Sequence, residues 1–400
     1  MFISFLSLDF LLFATAITLF VAATRGRLRE YGFLAANIGF IYAVVGPFGV
    51  ASVFFFCLFG WLLTRAYVSG SNQGAILVIG LFVAAFIYLR DYEFLGLVLP
   101  DTVRLSFLST IGLSFLLFRI LHVMIDARAK MIDRIEPLTY ANYLLAFTTF
   151  MMGPIQRYPD FRDQWADRSR AIAMNFEKHL DAGLRILWGL VKVYVLGTFL
   201  NRFALQPSTD VLSLSATELW GQLIGFYFYL YANFSGYCDI VIGIGSLMGV
   251  RPPENFNHPY IAQNIADFWL RQHRSLTLWL TDYVFNPLYK WALSSRMATT
   301  VPLAAGAFAA MITMFVSGIW HGTTVGFLIF GIVHGIWLVV YRVWDHLLTS
   351  RFGKKRVRQI RATWPGRAIG VALTLNATAF AFLFFQLDTP SVMALFNGIF

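Results

Sequence analysis

The chain has 400 residues, 58% of them apolar, 17% aromatic and 13% charged, and its mean hydropathy is +0.65. Soluble domains carry about 25% charged residues. The 41 Phe, 11 Trp and 17 Tyr exceed what one water-soluble core buries, which excludes a soluble globule, a disordered chain and a disulfide-rich secreted scaffold. The formal charge of +10 does not mark a nucleic-acid binder. Lys and Arg fall mainly in short connections between apolar runs, where they fix topology and meet anionic head groups. Cys57 and Cys238 lie in apolar surroundings and read as small core residues, not as a disulfide framework or metal cluster.

A spanning helix needs about 20 apolar residues. The first run, Phe2 to Ala23, is followed at once by Arg25, Arg27 and Arg29. A cleaved signal peptide carries its charge before the run, so this reads as an uncleaved helix with an extracytoplasmic N-terminus and cytoplasmic arginines. Further spans are expected at 31–48, 50–68, 74–93, 104–125, 138–153, 181–204, 216–235, 237–250, 276–294, 300–320, 323–345 and 366–387. Several are short for a plain crossing. The expectation is an all-α polytopic membrane protein of about eleven transmembrane helices, with re-entrant and interfacial helices whose backbone is buried in protein or lines a cavity. Arg128, Lys130 and Arg134, and the cluster from Arg351 to Arg361, read as cytoplasmic; the second cluster reads alternatively as an anionic-lipid or partner patch. Residues 154–179 mix Phe161, Trp165, Ile172 and Phe176 with charges of both signs, the pattern of a helix lying in the interface plane. Otherwise one membrane domain fills residues 1–400.

Polar residues concentrate at 231–334, the expected catalytic core. Asn233, Asp239, Asn255, Asn257, Asp267, Arg271, His273 and His321 all lie there, and ionisable groups at membrane depth normally face a cavity or a partner. His321 sits in VSGIWHGTT, where Gly318 and Gly322 allow backbone or substrate to approach closely. It is either a general base that takes a proton from a hydroxyl or a buried histidine joining two helices. His334, thirteen residues on, would point away from His321 if the helix were continuous, which makes it a packing residue. His273, between Arg271 and Arg274, either binds an anion or polar substrate or lies on a solvated face. His122, His179 and His346 read as interfacial. The chain has no phosphate loop, HExxH pair or CxxC, and IGIGSLMG, without a βαβ context, reads as helix packing.

These stretches resemble the membrane-bound O-acyltransferase family, in its bacterial cell-envelope branch. The resemblance runs through IGLSFLLFRILHVMID (111–126), FMMGPIQRYPDF (150–161), the long block 233–288 and SGIWHG (317–322). It implies an all-helical fold around a central tunnel, with His321 as the catalytic histidine and His273 as the second functional one. Asn233, Asp239, Asn257, Trp269, Arg271, Ser317 and Trp320 are the expected substrate-binding set; Asn233, Ser317 and Trp320 are candidates for stabilising an oxyanion.

The expected activity is transfer of an acetyl or D-alanyl group from a cytoplasmic thioester, acetyl-CoA or an acyl-carrier protein, across the bacterial inner membrane. The acceptor is a hydroxyl of a cell-envelope glycan, polymer or partner protein. The resemblance further implies an extracytoplasmic or membrane partner protein, with no metal and no bound cofactor. Gln272, Thr281 and NPLYK stand where the family usually has Trp, Arg and PLGGN, and they leave acetyl and D-alanyl both open. A transporter or flippase with a histidine-lined pathway is the alternative. It accounts for the composition equally well but for the WHG and FW-x-R-x-H blocks less well. A catalytically dead scaffold is disfavoured by the presence of both histidines.

Overall fold

Hydrophobic runs become helices throughout the computed structural model, which describes residues 7–68, 74–97, 99–100, 112–167, 176–207, 209–295 and 303–399, with no strand among them. In chain order the helices are α1 Leu8–Ala23, α2 Gly26–Val68, α3 Ala75–Leu89, α4 Leu113–Arg128, α5 Pro137–Leu145, α6 Phe147–Phe150, α7 Tyr158–Ala166 and α8 Phe176–Asn201. Then come α9 Ala216–Leu247, α10 Ile265–Arg271, α11 Arg274–Leu280, α12 Asn286–Ser294, α13 Ala304–His321, α14 Val325–Phe352, α15 Lys354–Ala362, α16 Trp364–Gln386 and α17 Thr389–Ile399. Among the described residues, α2, α8, α13, α14 and α16 are long and apolar enough to cross a membrane. The expected start of the 104–125 span, the start of the 300–320 span and residues 168–175 of the interfacial segment lie outside the described residues.

The boundary expected between residues 31–48 and 50–68 is a kink: α2 consists of two helical stretches that meet at Gly46 (φ 69°, ψ −178°) ahead of Pro47. Proline has no amide to give the ladder and its ring crowds the preceding turn, while glycine tolerates the positive φ, so the axis breaks without a loop. Residues 216–235 and most of 237–250, expected as two spans, are one helix, α9.

The chain divides into two compact units, Met1–Val195 with Asn233–Glu254, and Leu196–Ala232 with Asn255–Phe400. In the first, Arg119 on α4 is 1% exposed and donates to the carbonyls of Tyr143 (3.0 Å), Leu144 (2.8 Å) and Thr149 (2.6 Å). It thereby caps the orphan carbonyls at the end of α5. His122, expected at an interface, is 0% exposed. Its Nε2 accepts from the Tyr158 amide (3.0 Å), which leaves Nδ1–H to donate to Asp126 (3.2 Å). His122 thus fixes the GPIQRYP turn to α4.

The aromatic side of α7 packs on protein. Phe161 and Trp165 are buried, Trp165 meets Phe33 at 4.9 Å between ring centroids, and the Arg29 guanidinium lies 3.9 Å over the Trp165 ring, a cation–π contact. Arg29 also donates to the Trp165 carbonyl (3.2 Å), so this residue of the N-terminal basic cluster is an internal anchor.

The same unit holds an ion-pair network. Arg185 on α8 grips Glu254 through both carboxylate oxygens (2.6 and 2.5 Å). The Arg185 guanidinium holds the Glu254 carboxyl at about 2, against an ordinary value of 4.5. A depressed folded-state value means that this pair stabilises the fold above the ordinary carboxyl range and that the contribution is lost as pH falls from about 4.5 towards 2. Partial exposure of Glu254 screens the effect. The melting temperature in detergent is expected to drop across that acidic window, and Glu254→Gln to flatten the drop. An identical acid profile in the variant would assign the acid sensitivity to other groups.

Candidate active site

In the second unit the sequence NIAD opens α10 with reciprocal caps. Asn264 accepts from the Asp267 amide (2.9 Å), and Asp267 reaches back to the Gln263 amide (3.2 Å). Asp267 also holds Arg271 one turn later (2.7 Å). Arg271 donates to the Asn257 carbonyl (3.2 Å), whose own amide donates to the Arg271 carbonyl (2.9 Å). Arg271 and Asn257, both expected to bind substrate, therefore lock this loop to the end of α10, with the Asn257 side of the loop exposed.

His273 follows, in the left-handed region (φ 47°, ψ 49°), at the N-cap of α11. A non-glycine residue there is strained and persists only where its surroundings hold it. Asn255 supplies that hold. Its Oδ1 accepts from the Ser275 amide (3.2 Å) and hydroxyl (2.8 Å) and meets His273 Nδ1 at 3.2 Å; its carbonyl accepts from the Arg274 amide (2.9 Å). Because a backbone N–H identifies the Asn255 atom as oxygen, His273 Nδ1 is the donor, and in the neutral ring Nε2 is the acceptor.

His321 is the last residue of α13, because Gly322 turns extended (φ −172°) and α14 starts only at Val325. The two helices form a hairpin of very close backbones. A Cβ on Gly318 would strike the Phe327 carbonyl and lie 3.1 Å from Gly331 Cα, the small-residue packing of membrane helices. The close approach that Gly318 permits is therefore by backbone, not by substrate. The His321 ring lies 6.3 Å from the His273 ring and 5.5 Å and 5.3 Å from Phe330 and Phe385, all between centroids. Trp320, buried, sits 5.6 Å from His273. His273 is 4% exposed, while His321 keeps accessible surface.

His334 does not obey the continuous-helix premise, since the chain breaks at Gly322–Thr324 and restarts. It lies buried among Phe268, Trp269 and Phe330, with centroids at 6.1, 4.9 and 4.6 Å. Phe330 thus separates two histidine rings that a helical wheel would have sent apart.

The expected set is brought together in part. His273, Trp320 and His321 meet; Ser317, one turn before His321, is fully buried with a hydroxyl that has no partner among the described residues; and Trp269 packs on His334. Asn233 and Asp239 belong to the first unit. There Asp239 is engaged at both oxygens, by Arg185 Nε (3.0 Å) and Lys192 Nζ (2.6 Å), and ties α8 to α9. The residue missing from the expected binding set is Asn255. Its signal was an uncharged amide inside a polar loop eighteen residues ahead of a histidine. Asn255→Ala is expected to cut turnover by about ten- to a hundredfold, the usual effect of removing a group that orients a functional imidazole, with Asn255→Asp recovering part of it as an alternative acceptor. A transfer rate unchanged in Asn255→Ala would remove its positioning role.

A chain whose described residues are helical, with five helices long and apolar enough to cross a membrane and two histidine rings that converge, has the make-up of a multi-pass membrane protein. The chain belongs to the MBOAT, membrane-bound O-acyltransferase, family, whose model matches residues 36–383, and it is an acyltransferase. It is similar to a teichoic acid D-alanyltransferase of Bacillus subtilis (strain 168), 26% identical over 96% of each chain. A "Probable alginate O-acetylase" of Pseudomonas aeruginosa is 33% identical over 58% of this chain and 42% of that protein. A peptidoglycan O-acetyltransferase of Helicobacter pylori is 32% identical over 62% of this chain and 44% of its own length. The chain therefore aligns with less than half the length of these two acetyl-transferring relatives.

Proposed function

We propose that this chain moves an acyl group, acetyl or D-alanyl, from a thioester on the cytoplasmic side of the bacterial inner membrane to a hydroxyl of a cell-envelope glycan, polymer or partner protein, with His321 as general base. The observation that carries the reading is the convergence of His273 and His321, from separate elements, beside Trp320. His321 takes the proton of the acceptor hydroxyl as its oxygen attacks the thioester carbonyl. The carboxyl end of α13 sets the negative end of the helix dipole beside the imidazolium so formed. Collapse of the tetrahedral intermediate breaks the carbon–sulfur bond, and the imidazolium returns its proton to the departing thiolate. The buried Ser317 hydroxyl is the donor suited to the oxyanion. Asn255 holds His273 in the tautomer whose Nε2 accepts, which suits it to orient the donor thioester or the acceptor hydroxyl.

Donor and acceptor reach the histidines from opposite sides of the bilayer through a tunnel, and an extracytoplasmic or membrane partner receives or relays the acyl group. The extracytoplasmic N-terminus belongs to the same topology. Proteoliposomes given a radiolabelled acetyl or D-alanyl thioester outside and a polyol acceptor inside test the reading. Label moving onto the acceptor hydroxyl supports it. Uptake of unmodified substrate without a new ester supports the transporter alternative instead.

A further inference from the structure

Outside the histidine site, the second unit carries a groove of about 770 Å³ between α14 and α16, lined by Trp220, Trp337, Trp344, Leu373, Ala377 and Phe380. It shares Gln263 and Arg361 with a second hollow of about 410 Å³, whose walls include Lys354, Arg358 and Arg367. Asp345, the acid in that hollow, is taken by Arg361 at 2.5 Å. No ion pair of Lys354, Arg358 or Arg367 occurs among the described residues, so the hollow is cationic. Along the groove Trp344 and Leu373 are exposed, while Trp337 presents a buried indole N–H without a partner among the described residues.

The two hollows together match one ligand chemistry. Exposed tryptophan and leucine beside a basic helix are the features by which proteins seat at the membrane interface, and clustered lysine and arginine near the surface attract anionic head groups. A soluble acidic protein would engage the arginines but would leave the apolar groove unfilled. We infer that this is a binding site for an anionic phospholipid, with its phosphodiester on Lys354, Arg358 and Arg367 and an acyl chain along the tryptophan groove. The indole of Trp337 is placed to donate to an ester carbonyl on that chain.

The test titrates delipidated full-length protein, in neutral detergent, with dioleoylphosphatidylglycerol, dioleoylphosphatidylcholine and glycerol 3-phosphate, and counts adducts by native mass spectrometry. Phosphatidylglycerol is expected to bind roughly tenfold more tightly than phosphatidylcholine, and glycerol 3-phosphate far more weakly than either. Arg358→Gln with Arg367→Gln, at two exposed positions, is expected to abolish the preference. Ala377→Trp, which fills the groove, is expected to weaken both lipids. Equal retention of the two lipids, a preference that survives the double variant, or glycerol 3-phosphate binding as tightly as the lipid would each overturn the inference. So would capture of an acidic carrier protein through the same arginines without any lipid preference. Should a variant elute as aggregate, the comparison of lipids on the unaltered protein decides alone. Lipid retention is read without acyl transfer, so this result is independent of the catalytic reading.

Discussion

Replacing His321 with alanine is expected to lower acyl transfer by about a thousandfold while leaving a folded, membrane-inserted protein. General-base catalysis contributes typically 10²–10⁴-fold, and His321 ends a helix and, as a residue, is less buried than His273 or His334. Loss of the ring removes aromatic contacts with Phe330 and Phe385, but no ion pair of His321 occurs among the described residues. The same elution profile and near-unchanged melting should accompany the lost activity. His321→Gln, which keeps a hydrogen-bonding side chain but no titrating nitrogen, should be as inactive as alanine. A glutamine variant with substantial turnover would reduce His321 to a hydrogen-bonding, architectural residue.

Gly318→Leu is expected to have the largest effect on folding. At this position a Cβ already meets the Phe327 carbonyl and the backbone of Gly331, and a Cβ on Gly331 would lie 3.0 Å from Gly318 Cα. Neither backbone has room to yield without separating α13 from α14, and that separation would move His321 and Phe330 apart. Overpacking of this kind costs about 1–3 kcal/mol, more where backbone is struck. The apparent melting temperature should fall by roughly one to four degrees, judged from the usual relation of stability to midpoint for a chain of this length, and the folded yield should fall with it. A normal melting curve for Gly318→Leu would mean that the hairpin is looser than its geometry states.

Much of the architecture follows from hydropathy, because long apolar runs bounded by basic residues have few alternatives to helices. The breaks were harder to read. Asn233, Ser235, Gly236 and Asp239 in sequence suggest an interruption near 236, yet α9 continues because Arg185 and Lys192 neutralise Asp239 in the folded unit. The glycine–proline pair at Gly46, by contrast, breaks α2 beside the boundary expected between residues 48 and 50. The spacing of His122 and Asp126, four residues apart in one helix, was visible beforehand; that both are buried together was not, since it depends on Tyr158 arriving from another segment. At the site, SGIWHG pointed to His321, but the meeting with His273 rests on Asn255 and a left-handed backbone. Those are tertiary facts. His334 does pack, against Phe268, Trp269 and Phe330, but the continuous helix from which its direction was read ends at His321.

The central claim is that His273 and His321 serve one reacting centre, and a double-mutant cycle tests it most directly. Single-turnover transfer from a labelled acyl thioester to a hydroxyl acceptor would be timed for the unaltered protein, His273→Gln, His321→Gln and the double variant. Groups that act as a unit are strongly non-additive, so the double variant should transfer at nearly the rate of His321→Gln alone. Losses that simply multiply would mean that the two histidines act independently, and would contradict the account.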